Sequence, residues 1–426
     1  MVNGLLEKLH SIQDRDILKK TAKYAFYLAV IIECLIVVID KSHFTNPIEG
    51  RLFQITFILC VLKVALTKYD FKEYIAIFLA CLLGLMVDFL GDRNEILRMF
   101  MFVAACKDID IKKCLKLMLW LTTAGCAILA ILSVFGIYGE LTVPKEYPGS
   151  IFIDRYCFGM GNANAFHIMF FALVLLAMYV YSEQMKWWGY TILFVANIVV
   201  TYLTACKTGA AMTALAIVAM YVVTSLSTHP CGKRTVPKVL GCGSIIVYPI
   251  LILFSVLFAH VTKYLYYYRW SDGNSLDLVY KGYKPVIWAK IDTLLTGRIE
   301  SLSNDNAWSG SLKTWHLMPV KENQAYFDLG FVRVFYWYGI IPATIILILI
   351  LVLLVYLYRN QKMSELMMIA LMLVFTFIES HYVSVYIGRN YALVILGGLW
   401  ASMLSADKWR RDVQNKASEV SREEKA

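Results

Sequence analysis

Several short stretches of this 426-residue chain carry side chains that could grip an anion and move a proton. Arg155 precedes the string Phe158, Gly159, Met160, Gly161, Asn162, Ala163 and Asn164, in which glycines let a backbone approach a ligand and Asn162 or Asn164 can cap a following helix. Cys206, Lys207, Thr208 and Gly209 repeat the arrangement, with Thr208 as cap and Lys207 as cation. The free amides and positive dipole end of a helix starting at such a turn attract anions. Taken singly, each turn is also an ordinary capped helix with one outward-facing charge. Leu295, Thr296, Gly297, Arg298 and Ile299 make a Gly-Arg turn, and Glu322, Asn323 and Tyr326 lead toward Arg333. Spacing i, i+4 and i+11 aligns Glu322, Tyr326 and Arg333 on one face if that segment is helical. A carboxylate, a phenol and a guanidinium there can combine proton transfer with phosphate recognition, or simply form an interfacial ion pair.

The elements that must position these residues are membrane helices. Hydrophobic residues make up 59% of the chain, charged residues 17%, and mean hydropathy is +0.61, which excludes an ordinary soluble domain. Crossing about 30 Å of hydrocarbon takes roughly 20 apolar residues as a helix. About twelve such windows recur, near 22–39, 53–67, 74–90, 95–106, 115–136, 164–181, 188–204, 209–226, 239–261, 331–357, 364–380 and 388–404. They are continuously apolar, so an alternating barrel pattern does not fit. The expected fold is all-α and polytopic: a terminus at 1–21, helices over 22–261, one large polar loop at 262–330, further helices over 331–404, and a charged tail at 405–426.

Lys and Arg in the short loops set the orientation. With the N-terminus in the cytoplasm, Lys8, Arg15, Lys19, Lys20, Lys112, Lys113, Lys116, Lys233, Arg234, Lys238, Lys408, Arg410 and Arg411 all fall on the cytoplasmic side. Both termini are then inside and the loop at 262–330 outside, with Tyr264, Tyr266, Tyr267, Tyr268 and Trp270 as an outer aromatic belt. The net charge of +10 is spent on topology and anionic headgroups, and no nucleic-acid motif accompanies it. Cysteines are scattered without a CxxC pair, so neither a disulfide framework nor a metal site is expected. At membrane depth, Glu33 and Lys63 could pair across a helix hairpin, or Lys63 could snorkel; Asp88 and Lys107 sit at span ends, and Arg98 falls in the short fourth window.

Many spans with one large late outer loop, together with RMFMFVAACKDIDIKK, RYCFGMGNANAFH, TACKTGA, LTGRI and ENQAYFDLGFVRVFYWYGI, resemble the Wzy-type polysaccharide polymerases, in the broader family that includes O-antigen ligases. The resemblance implies a cofactor-free, metal-independent glycosyltransferase of the bacterial cytoplasmic membrane. It would join undecaprenyl-diphosphate-linked oligosaccharide repeat units at the outer face into a capsular or extracellular polysaccharide. Membrane lipids surround it, and a flippase and a chain-length regulator are expected partners. Arg155, Lys207, Arg298 and Arg333 would clamp the diphosphate. Glu322, acting with Arg298, would deprotonate the acceptor hydroxyl, while Asn323, Tyr326 and Asn162 hold the sugar. Trp288, Trp308 and Trp315 could stack on sugar rings or pack the loop. Lys207 stands where the family often has arginine, and Glu322 stands where ligases carry histidine, so the base stays open between Glu322, His316 and His381. A flippase coupled through Glu33, Lys63 and Asp88, a ligase, and a scaffold working through its tail are the competing readings.

Overall fold

The computed structural model describes residues 13, 15–42, 44–147, 151–227, 235–271, 283–303 and 310–404. Lys8, Lys233, Arg234, Trp308, Lys408, Arg410, Arg411 and the tail lie outside them, as do the side chains of the aromatic belt at 264–270.

Fourteen α-helices account for most of the described chain: α1 (Asp16–Lys41), α2 (Glu49–Ala65), α3 (Phe71–Gly91), α4 (Glu95–Ala105), α5 (Ile111–Val134), α6 (Ala163–Val180), α7 (Trp187–Thr204), α8 (Lys207–Ser227), α9 (Thr235–Ser271), α10 (Tyr283–Leu294), α11 (Gly330–Tyr338), α12 (Ile340–Arg359), α13 (Met363–Ile378) and α14 (Tyr391–Leu404). Eight of them, α1, α3, α5, α6, α7, α8, α9 and α12, are long and apolar enough to cross a membrane. The apolar helices α13 and α14 are shorter. Faces turned away from the bundle are greasy, as on α3, where Phe78, Leu79, Leu82, Leu85 and Phe89 are all exposed. In water such a surface would aggregate; in lipid it is the expected exterior. This is a helical membrane protein.

Three departures from the sequence expectation have physical causes. The window 331–357 is not one span: it breaks at Gly339, whose φ of +76° and ψ of 162° end α11 and start α12. A β-carbon there would sit 2.5 Å from the backbone of Met318. The amides freed by the break are taken up by the loop, Ile340 donating to the His316 carbonyl at 2.8 Å and Ile341 to that of Leu317 at 3.0 Å. Next, α9 runs on to Ser271, beyond the window ending at 261. Finally, the chain is not wholly helical, because an antiparallel hairpin of β1 (Thr142–Tyr147) and β2 (Ile151–Tyr156) pairs Val143 with Arg155.

The deep charges are also paired differently. Glu33 meets Arg98, with Arg98 Nη2 3.1 Å from Glu33 Oε1, and Thr56 donates to the same oxygen at 2.7 Å. Arg98 lies over the Phe53 ring at 3.7 Å and donates to the Val385 carbonyl at 3.1 Å. Lys63 reaches instead for Thr67 Oγ1 at 2.6 Å and the Lys107 carbonyl at 3.0 Å. The Glu33–Lys63 pair therefore does not form. Glu33 sits near the middle of α1, whereas Lys63 sits at the end of α2, so one side chain cannot span the gap between them.

Candidate functional site

Beside the C-terminal end of α1 lies a polar cavity of about 590 Å³. Four pieces of chain wall it: Asp40 and Lys41 ending α1; Asn162 and Asn164 opening α6; Tyr326, Asp328 and Arg333 from the loop into α11; and the linker between α13 and α14, with Glu379, His381, Tyr386 and Arg389. The linker is pressed onto α1 at Gly388, where a β-carbon would lie 2.6 Å from the Glu33 carbonyl oxygen. Together with the Arg98 bond to Val385, that contact ties the cavity wall to the buried Glu33–Arg98 pair.

Arg155 stands behind the α6 wall. Its Nε donates to the Thr204 carbonyl at 2.6 Å, satisfying an orphan acceptor at the end of α7, and its Nη2 donates to Asn164 Oδ1 at 2.7 Å. Asn162 caps α6, accepting from the Ala165 amide at 2.7 Å, so of the two candidate caps it is Asn162 that serves. Gly159 brings its backbone close to the Leu129 carbonyl of α5, not to the cavity. On the adjacent turn, α8 already begins at Lys207, which puts Thr208 inside the helix and corrects its expected capping role. Lys207 is exposed. Its neighbour Cys206 is buried within electrostatic range of Glu379, Arg155 and Arg298, which places that turn beside the same cluster.

Arg298 is buried on the turn after α10. Asp292 fixes that turn by accepting from the Ile299 amide at 2.6 Å, while Thr262 on α9 donates to the Ile299 carbonyl at 2.6 Å. Arg298 then donates to the Leu295 carbonyl at 2.8 Å and to the carboxylate of Glu379, with Asp328 3.8 Å from its Nε. Burial lifts the Glu379 carboxyl to about 7, against the opposing pull of Arg298. Arg333 spends its N–H groups on the Phe327 carbonyl, at 3.0 and 2.6 Å, and the Val383 carbonyl, at 3.1 Å; its cation lies between the rings of Tyr326 and Trp337. It supplies positive field to the cavity more than free donors. Arg389 pairs with Asp40, and Nε of both Arg298 and Arg389 is buried without a hydrogen-bond acceptor among the described residues.

Two expected roles change. Residues 321–329 are not helical, so Glu322, Tyr326 and Arg333 do not share a helix face; Tyr326 and Arg333 meet, but Glu322 is exposed on a turn and outside the cavity wall. Asn323 is buried, donating to the carbonyls of Thr314 at 3.2 Å and Tyr336 at 2.8 Å, which makes it a loop staple without a free amide for sugar. Beside it Arg93 locks the same segment, bonding Gln324 Oε1 at 2.8 Å and pairing with Glu95 at 3.0 Å. Trp315 stacks on Phe335 with ring centroids 4.7 Å apart, and Trp288 meets Phe258 edge-on, so both pack the loop. His316 is exposed and away from the cavity; His381 lines it, but burial and the nearby Lys41 hold its imidazole well below the usual range.

Sequence reading missed Asp40, Lys41, Glu379 and Arg389. The signal was present in Glu379-Ser380-His381 and Gly388-Arg389-Asn390, a polar run between two apolar windows. Comparison with family models, curated proteins and solved structures returned no match for this chain.

Proposed function

We propose that the chain is a membrane glycosyltransferase that polymerises lipid-diphosphate-linked oligosaccharide repeat units at the outer face of the bacterial cytoplasmic membrane, with both termini inside. The reading rests on one observation: a cavity at one end of the bundle lined by Lys41, Arg333 and Arg389, with Arg298 and Arg155 immediately behind it, and containing a carboxyl poised near neutrality. Clustered cations stabilise the charge that grows on a diphosphate leaving group. A base with a value near the working pH is the effective one for removing a hydroxyl proton. Glu379 meets that condition, whereas a neutral imidazole held low, as at His381, is a weak acceptor. In the proposed step the acceptor hydroxyl gives its proton to Glu379 as its oxygen bonds to the anomeric carbon of the donor. The bond from that carbon to the diphosphate breaks, and the lipid diphosphate leaves with the electron pair. The buried N–H groups left over on Arg298 and Arg389 are available to the departing oxygens.

The test is reconstitution of the purified chain in vesicles with a lipid-diphosphate oligosaccharide, followed by gel analysis of the glycan. A ladder longer than the input unit is expected. Intact substrate with no longer product, in a preparation whose thermal unfolding shows it folded, would refute the assignment. A parallel measurement fixes the side: cysteine placed at the exposed positions 207 and 322 should react with an impermeant thiol reagent from outside intact cells.

A further inference from the structure

A second cavity, of about 470 Å³, lies at the other end of α1, and no step of the proposed reaction uses it. It is lined by Lys19 and Lys23 from the first turns of α1, by Lys63 and Lys68 around the end of α2, and by a single carboxylate, Asp108, with Gln13 at its edge. From Lys19 and Lys23 to Asp40 and Lys41 the helix climbs about 30 Å at 1.5 Å per residue, which is the hydrocarbon thickness of a bilayer. The two cavities thus sit at opposite headgroup levels.

Lys63 is the informative residue. It is 4% exposed, it lines the cavity, and its two hydrogen-bond partners, Thr67 Oγ1 and the Lys107 carbonyl, are both neutral. Among the described residues no carboxylate lies within ion-pair distance of its Nζ, since Glu73 is taken by Lys107 at 2.5 Å. An ammonium has three donors, so one remains. Burying a charge without a counter-ion is costly, and a cavity holding four lysines against one aspartate is short of negative charge. Beside these cations, Gln13 is buried, donates to the Ala65 carbonyl at 2.8 Å and leaves Oε1 without a donor.

We infer that this cavity binds a phosphate-bearing anion, and its depth and the unfilled Gln13 acceptor point to the phosphodiester headgroup of an anionic lipid whose hydroxyl donates to Gln13. Basic pockets between helices on the cytoplasmic side are built for such headgroups. The lipid would fasten the start of α1 to the end of α2, and with it the far end of the helix that carries Asp40 and Lys41.

The full chain in discs of neutral phosphatidylcholine, titrated with phosphatidylglycerol and read by native mass spectrometry and thermal unfolding, tests this. Retained phosphatidylglycerol and a raised unfolding temperature are expected, with Lys19→Gln/Lys23→Gln, two exposed positions that should not disturb folding, weakening retention on the order of ten-fold. Lys63→Met should weaken retention while raising stability in neutral lipid, because the buried charge is gone. Equal retention by wild type and both variants would overturn the proposal. Inorganic phosphate at millimolar concentration is the remaining arm: if it stabilises the wild type in neutral discs and displaces the lipid, the lipid assignment fails and the site belongs to a soluble anion.

Discussion

Arg298 and Glu379, eighty-one residues apart, form a buried ion pair that joins the turn after α10 to the linker after α13. The pair sets both the shape of the cavity wall and the proton affinity of its most interesting carboxyl. Removing the cation should push that affinity further up, and removing the acid should leave the guanidinium buried with Asp328 alone, 3.8 Å away.

The first prediction concerns pH. Below about 7 Glu379 is protonated and accepts nothing; above it the carboxylate is available. Polymerisation measured as kcat/KM should therefore climb through neutrality and level off. Glu379→Gln should lower the rate by about 10²–10⁴ and flatten the profile. The same group contributes stability that is present below its unfolded value of 4.5 and lost as pH rises through about 7, so the variant should also lose the fall in unfolding temperature across that window. An unchanged profile in the variant would remove Glu379 from the mechanism.

Glu322→Gln is the matched control. The side chain is exposed and off the cavity wall, so activity should stay within about two-fold of wild type. A loss comparable to that of Glu379→Gln would restore Glu322 as the base.

Arg298→Ala should insert and yet yield no long chains, while single repeat units still reach the outer face, detectable by surface lectin labelling. Disappearance of those single units would favour transport of the lipid-linked unit instead.

Arg155→Lys should cost about ten-fold or more in activity, because Arg155 reaches Thr204 through Nε and Asn164 through Nη2 at once, and an ammonium cannot copy that fork. Lys207→Arg, at an exposed position, should be tolerated. Equal losses from the two exchanges would dissolve the distinction.

Stability gives a check independent of catalysis. Arg98→Met leaves Glu33 charged and buried and should cost about 3–5 kcal/mol in detergent unfolding, whereas adding Glu33→Leu should recover much of it. If the double variant is no better than the single, the pair is not the source of the loss.

Sequence alone determined the helical membrane class, the position of each apolar window, and the stretches around Arg155, Cys206, Arg298 and Arg333, because a run of apolar residues and a Gly–Asn cap are local signals. Tertiary structure decided everything that depends on partners far apart in the chain. It chose Arg98 over Lys63 for Glu33, broke the tenth window where Gly339 meets Met318, and turned Asn323 inward. It also moved the poised carboxyl from Glu322 to Glu379, since a carboxyl's proton affinity follows the burial and charges around it, and neither is written in its neighbours along the chain.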